Sequence, residues 1–379
     1  MSILSTPPHL LHAFPTFSVG GAQVRFAAIA NHFGTAFRHT LVSMDGRYDC
    51  RERLDPKLLI DCANPIVCKD YTLGNVREFW RLLSRTRPDT LITYNWGSIE
   101  WAMADWLHRA RHIHIEDGFG PEEARRQFGR RVWTRRIALR RSTVIVPSMR
   151  LRTIATQVWK LDPARVRYIP NGIDCARFAG AGARATGTAG PSSLIGTVAA
   201  LRREKNIERL LRAFARVHGQ QPCRLIIVGD GPERGPLERL ATELGIASDV
   251  TFAGHVTSPE QIYGTFDIFA LASDTEQMPY TIIEAMAAGL AIAATDVGDI
   301  RHMVAAENGP FISPPADDLL ADALGKLVGD TQLRQQVGIA NQIKARAEFD
   351  QAKMFAAYGS LFHGPMPSGV GRQAPAPSR

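Results

Sequence analysis

The chain has 379 residues, 45% of them apolar and 22% charged, with a formal net charge of +8. That length exceeds one ordinary core and predicts two domains, and the composition excludes a disordered or fibrous protein. No stretch approaches the roughly 18 unbroken apolar residues of a membrane span, and the Met1–Pro8 segment predicts no secretory leader.

Short apolar runs alternate with amphipathic stretches along most of the chain, the rhythm of repeated βα units and parallel sheets. In the first half, His9–Ala13, His39–Met44, Thr90–Tyr94, Ile113–Glu116 and Thr143–Val146 read as strands. Between them Gly21–Phe33, Val76–Arg85 and Ser98–Arg109 read as helices. The small, flexible stretch Gly180–Ser193 reads as an interdomain linker. The rhythm then restarts, with strands over Leu194–Ala199, Arg224–Val228, Asp249–Phe252, Asp267–Leu271 and Leu290–Ala294. Helices are expected over Asn206–His218, Glu233–Leu244, Thr281–Ala288, Asp317–Val328 and Phe349–Phe362. The domains expected are thus 1–185 and 193–348, followed by a helix over 349–363 that packs back on the N-terminal domain. The tail over 364–379, with its four prolines and three glycines, is expected to be disordered.

Charge is unevenly shared. Residues 1–190 hold 28 Lys+Arg against 16 Asp+Glu, whereas residues 191–379 hold 17 against 21. An acidic partner for the first half follows: an anionic lipid surface, a phosphate-bearing acceptor or nucleic acid. Paired arginines recur at Arg125/Arg126, Arg130/Arg131, Arg135/Arg136 and Arg140/Arg141. A five-residue step turns a helix by about 140°, so the pairs spread around it, although Phe128, Val132 and Leu139 share a side. Either a solvated helix or a contact with anionic lipid or an acidic acceptor fits this stretch. Cys50, Cys62, Cys68, Cys175 and Cys223 lack zinc-type spacing. Reduced thiols without a leader predict a cytoplasmic protein, and the arginine-rich stretch offers peripheral contact with the inner face of the membrane.

The segment Ser273-Asp274-Thr275-Glu276-Gln277-Met278-Pro279-Tyr280-Thr281-Ile282-Ile283-Glu284 follows an apolar run and opens a helix. Pro279 suits a first helical turn, and the free backbone N–H groups at that helix start, near Met278–Thr281, form a site for a diphosphate. Glu276 then lies at the carboxyl end of a strand, where ligands of open α/β sheets bind, and Glu284 lies two turns into the helix. Glu276 and Glu284 form an E-x7-E motif followed by Ala285-Met286-Ala287. Around it, in order, stand Val19-Gly20-Gly21-Ala22-Gln23, Ile169-Pro170-Asn171-Gly172, Val228-Gly229-Asp230-Gly231, Gly254-His255-Val256 and Ala294-Thr295-Asp296-Val297-Gly298.

This series resembles the large fourth family of retaining glycosyltransferases (glycosyl transferases group 1), and the resemblance extends across most of the chain. It implies an α/β protein with the GT-B fold, two Rossmann-like domains with parallel sheets facing across a cleft. A nucleotide-diphosphate sugar donor is expected in the C-terminal domain and a saccharide or lipid-linked acceptor in the N-terminal one. The activity implied is retaining transfer in surface polysaccharide or glycolipid synthesis. Lys205 matches the family lysine that binds donor phosphate, Glu276 the residue beside the reacting carbon, and Glu284 the ribose contact. Gly20 and Gly21 permit close backbone approach, Gly229 and Gly231 match the glycine-rich loop, and Gly254, His255 and Val256 match the base-binding turn. No Asp-x-Asp motif stands out, so neither a metal nor another cofactor is expected, and no nucleic acid. Two positions depart from the family pattern. Ala200 stands where an arginine is usual, leaving Arg202 or Arg203 to reach the phosphate. Asp117, in His114-Ile115-Glu116-Asp117-Gly118, stands where many relatives carry histidine; it either orients a sugar hydroxyl, accepts a proton or is only a turn residue.

A dehydrogenase would need Gly-x-Gly-x-x-Gly after its first strand, and Gly229–Gly235 has one residue too many. A non-hydrolysing nucleotide-sugar epimerase shares the architecture but uses no separate acceptor. A degenerate polyanion- or lipid-binding protein would have no need of Lys205, Glu276 and Glu284 together.

Overall fold

Strands such as His9–Phe14, Arg38–Ser43, Thr90–Tyr94, Ile268–Leu271 and Ala291–Thr295 are buried along nearly their whole length, because a parallel sheet is covered by helices on both faces. A computed structural model describes residues 6–65, 67, 71–108, 110–119, 123, 127–179, 192–256 and 258–363. Expectations for the 180–191 part of the linker, for Arg125 and Arg126, and for the 364–379 tail fall outside these residues.

The first half runs β1 (His9–Phe14), α1 (Gly21–Phe33), β2 (Arg38–Ser43), β3 (Leu59–Ala63), α2 (Thr72–Thr86), β4 (Thr90–Tyr94) and α3 (Ile99–His108). It continues with β5 (Arg111–Ile115), α4 (Gly129–Ala138), β6 (Thr143–Val146), α5 (Met149–Thr153), β7 (Val166–Tyr168) and α6 (Cys175–Ala179). The second half opens with β8 (Ser193–Val198), α7 (Ile207–His218), β9 (Cys223–Val228), α8 (Arg234–Glu243), β10 (Val250–Gly254), α9 (Pro259–Tyr263) and β11 (Ile268–Leu271). It ends with α10 (Tyr280–Ala287), β12 (Ala291–Thr295), α11 (Ile300–Met303), β13 (Ile312–Ser313), α12 (Asp317–Gly329), α13 (Thr331–Glu348) and α14 (Gln351–Phe362).

These strands form two sheets, of order β3-β2-β1-β4-β5-β6-β7 and β10-β9-β8-β11-β12-β13. Every strand pair in both is parallel. Two Rossmann-like domains thus face each other in the GT-B arrangement, as the motif series implied. In each sheet the order reverses beside its first strand, β1 or β8, which opens a ligand crevice at the strands' carboxyl ends.

Helix α7 shows how local sequence sets an element. Asn206 takes a left-handed conformation (φ 44°) and its side chain accepts from Arg209 N–H, while Ile207, Leu210, Leu211, Phe214 and Val217 recur at helical spacing and are buried. Helix α13 was not anticipated because its buried face is built from Val337, Gly338, Asn341 and Ala345, a thin apolar signal. Gly338 is required there: a Cβ would lie 2.0 Å from the Gly289 carbonyl oxygen.

Helix α14 follows the C-terminal sheet but sits in the N-terminal core. Met354, Phe355, Tyr358, Leu361 and Phe362 join Phe26, Phe37 and Leu41 in one buried cluster. His32 stacks on Phe355 with centroids 4.1 Å apart. Backbone bonds from Ile173 to Phe349 (3.0 Å) and from Gln351 to Ile173 (2.8 Å) bind the two crossings together.

Candidate active site

Between the two sheets lies a cleft of about 820 Å³. Its C-terminal wall is the loop from β11 to α10. Gly298 lies beneath that loop with φ +61°, so close that a Cβ would be 2.6 Å from the carbonyl oxygens of Glu276 and Gln277. Asp299 N–H donates to the Gln277 carbonyl at 2.9 Å. Thr295 holds the Ser273 carbonyl at 2.7 Å, and Arg209 holds that of Ala272 at 2.7 Å. Pro279 is the cap residue of α10, one position earlier than a first-turn proline, with extended backbone and no side-chain cap. Its missing N–H still costs nothing; the Ile282 N–H bonds the Pro279 carbonyl at 3.2 Å, and the N–H groups of Tyr280 and Thr281 before it have no carbonyl one turn back in the helix.

Glu276 and Lys205 meet in this cleft. Lys205 Nζ donates to Glu276 Oε1 at 2.5 Å, and Ser273 Oγ donates to the same oxygen at 2.8 Å. Lys205 arrives from the turn Arg203–Lys205 before α7, and Glu276 from the loop after β11. Both elements end at the carboxyl edge of one sheet, so 71 residues of separation close to one contact.

The N-terminal wall is built around a buried guanidinium. Arg25 on α1 forms an ion pair with Asp117 at 2.7 Å and donates to Asn171 Oδ1 at 2.8 Å. Burial disfavours the Arg25 charge, but the Asp117 carboxylate more than offsets it and holds the pKa above the usual guanidinium range. Asn95 Oδ1 accepts the Asp117 N–H at 2.7 Å. Asn171 also donates to the Met278 carbonyl at 3.0 Å and accepts from the Tyr280 hydroxyl at 3.3 Å, so it spans both walls. Burial pushes the Tyr280 phenol well above its usual range.

Beside Asp117 the wall is aromatic and charged. Arg135 is 0% exposed, pairs with Glu116 and Glu123 at 3.3 Å each, and lies against the rings of Trp96, Phe119 and Trp159 at 4.9–5.3 Å. Arg131 pairs with Glu123 at 3.0 Å. Against the effect of burial, bonds from Arg131 and the Phe128 N–H, with the Arg135 charge, hold the Glu123 carboxyl below its usual range. Arg131 and Arg135 therefore face inward, and the arginine-rich stretch is not a uniformly solvated helix. Leu139 is buried, so Phe128, Val132 and Leu139 form no common exposed stripe. The exposed apolar side chains are Phe128, Trp133 and Ile137, set among exposed Arg130, Arg136, Arg140 and Arg141.

Of the residues expected at the site, Gly21, Asp117, Arg202, Lys205, Glu276, Met278, Pro279, Tyr280 and Thr281 line the cleft. Arg202 lines both the cleft and a neighbouring surface cavity, whereas Arg203 lines only the latter. Gly20, Gly229, Gly231, Gly254, His255, Val256 and Glu284 are not among its lining residues. Gly229 and Gly231 are required by close packing: a Cβ would lie 1.9 Å from the Ala199 oxygen in one case and 2.4 Å from the Leu201 oxygen in the other. His255 is exposed and Val256 packs against the second core. Glu284 accepts the Tyr263 hydroxyl at 2.6 Å, and burial pushes its carboxyl upward. His112 and His114 are β5 residues, both bonded to Thr93 Oγ1 at 2.8 Å. Sequence reasoning missed Arg25, whose only local signal was a lone basic residue on an otherwise apolar stretch of α1. It also assigned no role to Asn171 in the Pro170-Asn171-Gly172 turn.

Residues 183–344 match the family model for glycosyl transferases group 1, and residues 19–177 match that for glycosyltransferase family 4. The D-inositol 3-phosphate glycosyltransferase of Corynebacterium jeikeium is 29% identical over 278 residues, 66% of each chain. The N-acetyl-alpha-D-glucosaminyl L-malate synthase of Bacillus anthracis is 25% identical over 163 residues, 43% of each chain. The chain thus spans less than two thirds of the length of these relatives. Among solved structures, Anabaena HepE in complex with UDP superposes with a TM-score of 0.79 at 19% identity, over 94% of this chain and 99% of that one. A glycosyltransferase from Rickettsia africae gives 0.76 at 16% identity, over 94% and 98%. Two parallel sheets, a cleft at their carboxyl ends and a family match in each half place this chain among the group 1 glycosyltransferases of GT-B fold.

Proposed function

We propose that this glycosyltransferase moves a hexose from a nucleotide-diphosphate sugar to a saccharide or lipid-linked acceptor with retention at the transferred carbon, in surface polysaccharide or glycolipid synthesis. The observation that carries this reading is the Lys205–Glu276 contact beside the start of α10. The diphosphate would sit against the α10 N-terminus, with Lys205 and Arg202 as counter-charges, where negative charge grows as the nucleotide leaves. Gly254, His255 and Val256 would meet the base and Glu284 the ribose once donor and domain closure bring them together. Glu276, released from Lys205, would hold the donor sugar hydroxyls.

Retention follows if the acceptor attacks from the face the nucleotide leaves. The sugar–phosphate C–O bond breaks, the acceptor oxygen bonds to the same carbon, and the acceptor proton passes to a phosphate oxygen. Asp117 would orient an acceptor or donor hydroxyl. Its carboxylate is held in place by the pair with Arg25, a fixed geometry that suits orienting a hydroxyl. The N-terminal wall of Asp117, Trp96 and Phe119 would take the acceptor. We place the protein in the cytoplasm, in peripheral contact with an anionic membrane through the exposed part of Arg125–Arg141.

The test is a thermal-shift panel of nucleoside diphosphates and their sugars, followed by detection of nucleoside diphosphate released on acceptor addition. UDP and UDP-glucose head the panel, since HepE structures contain them. A ligand that binds only the folded state raises its stability by mass action. A shift with one base identifies the donor; no shift with any member of the panel overturns the reading.

A further inference from the structure

A second cavity, of about 430 Å³, opens at the other end of the N-terminal sheet. Its walls include Arg111 and Thr143, the first residues of β5 and β6, whereas the cleft lies beyond the last residues of β1, β4 and β5. The glycosyl transfer chemistry has no use for it.

Three arginines line this cavity: Arg111, which is half-buried, and Arg141 and Arg165, which are exposed. Among the described residues, neither Arg111 nor Arg141 takes part in an ion pair. Arg165 is anchored by a bond from Nη1 to the Arg141 carbonyl at 3.0 Å, with exposed Asp162 3.9 Å from its Nε. Burial and the neighbouring Arg167 push the Arg111 pKa down, which marks a crowded positive field. Among the described residues the one carboxylate in the wall is Asp105, which is buried and accepts the Ala110 N–H at 2.9 Å. His112 is neutral and adds no charge of its own: burial and His114 push it to about 3, and its ring bonds to Ser142 and Thr93. Trp106 forms a fixed wall, its Nε1 donating to the Ala138 carbonyl at 3.2 Å.

A half-buried guanidinium without a carboxylate partner is costly, and a multidentate anion offsets that cost with charge-assisted hydrogen bonds. Planar guanidinium forks suit phosphate oxygens in particular. We propose that this cavity is a second, non-catalytic binding site for a phosphate-bearing anion, held by Arg111, Arg141 and Arg165. The anion is either a soluble polyphosphate group or the headgroup of an anionic lipid.

Calorimetric titration with inorganic tripolyphosphate tests this in the full chain, with the cleft disabled by R202Q and K205A. One saturable site is expected to remain, weakened at least tenfold by R111Q together with R141Q. R51Q with R53Q removes the same charge from exposed positions before β3 at the far edge of the sheet and is expected to change nothing. No remaining site, unchanged affinity in the R111Q/R141Q variant, or an equal loss in R51Q/R53Q overturns the proposal. If the double variant fails to fold, R141Q alone at its exposed position carries the same comparison. Sedimentation with vesicles of phosphatidylcholine and phosphatidylglycerol separates the sources. Loss of both tripolyphosphate and vesicle binding assigns a lipid headgroup; loss of tripolyphosphate binding alone assigns a soluble anion.

Discussion

Lys205 Nζ lies 2.5 Å from Glu276 Oε1, so the two groups proposed to meet the donor also meet each other. Donor phosphate must compete for Lys205, and the Glu276 oxygen it gives up becomes available to a sugar hydroxyl. Lys205→Ala and Glu276→Ala are each expected to lower turnover by about 10²–10³-fold. The pair is partly exposed, so either loss should cost less than about 1 kcal/mol of stability. Turnover assays beside thermal melts check this; wild-type transfer rates in both variants would remove Glu276 and Lys205 from the site.

The backbone beneath Glu276 leaves no room for a side chain at Gly298. Gly298→Ala places a Cβ 2.6 Å from two carbonyl oxygens at φ +61°, a strain of about 1–3 kcal/mol. The loop from Glu276 to Pro279 is then displaced, and activity should fall by more than the melting temperature suggests. Transfer rates measured well below the melting range, compared with a melt of the same sample, decide the point. Unchanged activity would show that the loop position is not critical.

Acid should weaken the N-terminal domain. His12 and His39 are buried, His112 is half-buried, and all three are neutral. Burial lowers each of them, with neighbouring histidines adding to it; His39 lies near 4, His112 near 3, and His12 well below its usual value. The unfolded chain titrates near 6.5 and takes up these protons first. Stability is therefore full above about pH 6.5 and falls as pH drops from there toward 4 and below. Each histidine contributes on the order of 1.4 kcal/mol per pH unit within its own window. Urea unfolding at about pH 7.5 and about pH 5 measures the difference, and equal stability at the two would contradict it.

Membrane contact, if it runs through α4, depends on Trp133 and Ile137, which are 60% and 47% exposed beside Arg130 and Arg140. Replacing both with serine should weaken binding to anionic vesicles roughly tenfold and leave soluble-acceptor turnover intact. Rising salt should weaken binding in the wild type as the arginine contribution is screened. Binding that survives both treatments would place the contact elsewhere.

The parts legible in the sequence were those whose cause is local. Strands such as β4, β6 and β11 are short runs of apolar and β-branched residues, and the spacing from Glu276 to Glu284 needs no partner to be seen. Strands β3, β7 and β13 were missed for opposite reasons: β3 is an edge strand carrying Asp61 and Cys62, and the other two have three and two residues. The site was legible only where a motif carried it. Arg25 pairs with Asp117 across 92 residues and with Asn171 across 146, and nothing local marks either pairing. Arg131 and Arg135 looked like surface charge because their carboxylates, Glu116 and Glu123, lie outside the helix that carries them.

The position of α14 bears on how the chain folds as it is made. The N-terminal sheet is complete once β7 has left the ribosome, but the cavity beside Phe26 and Phe37 is filled only by residues 351–362. For the whole synthesis of the second sheet, that aromatic wall has no native cover, and a nascent chain in this state invites aggregation or chaperone capture. The two halves are separate as sheets but not as folding units: cutting the chain between them would deprive the first of its last wall.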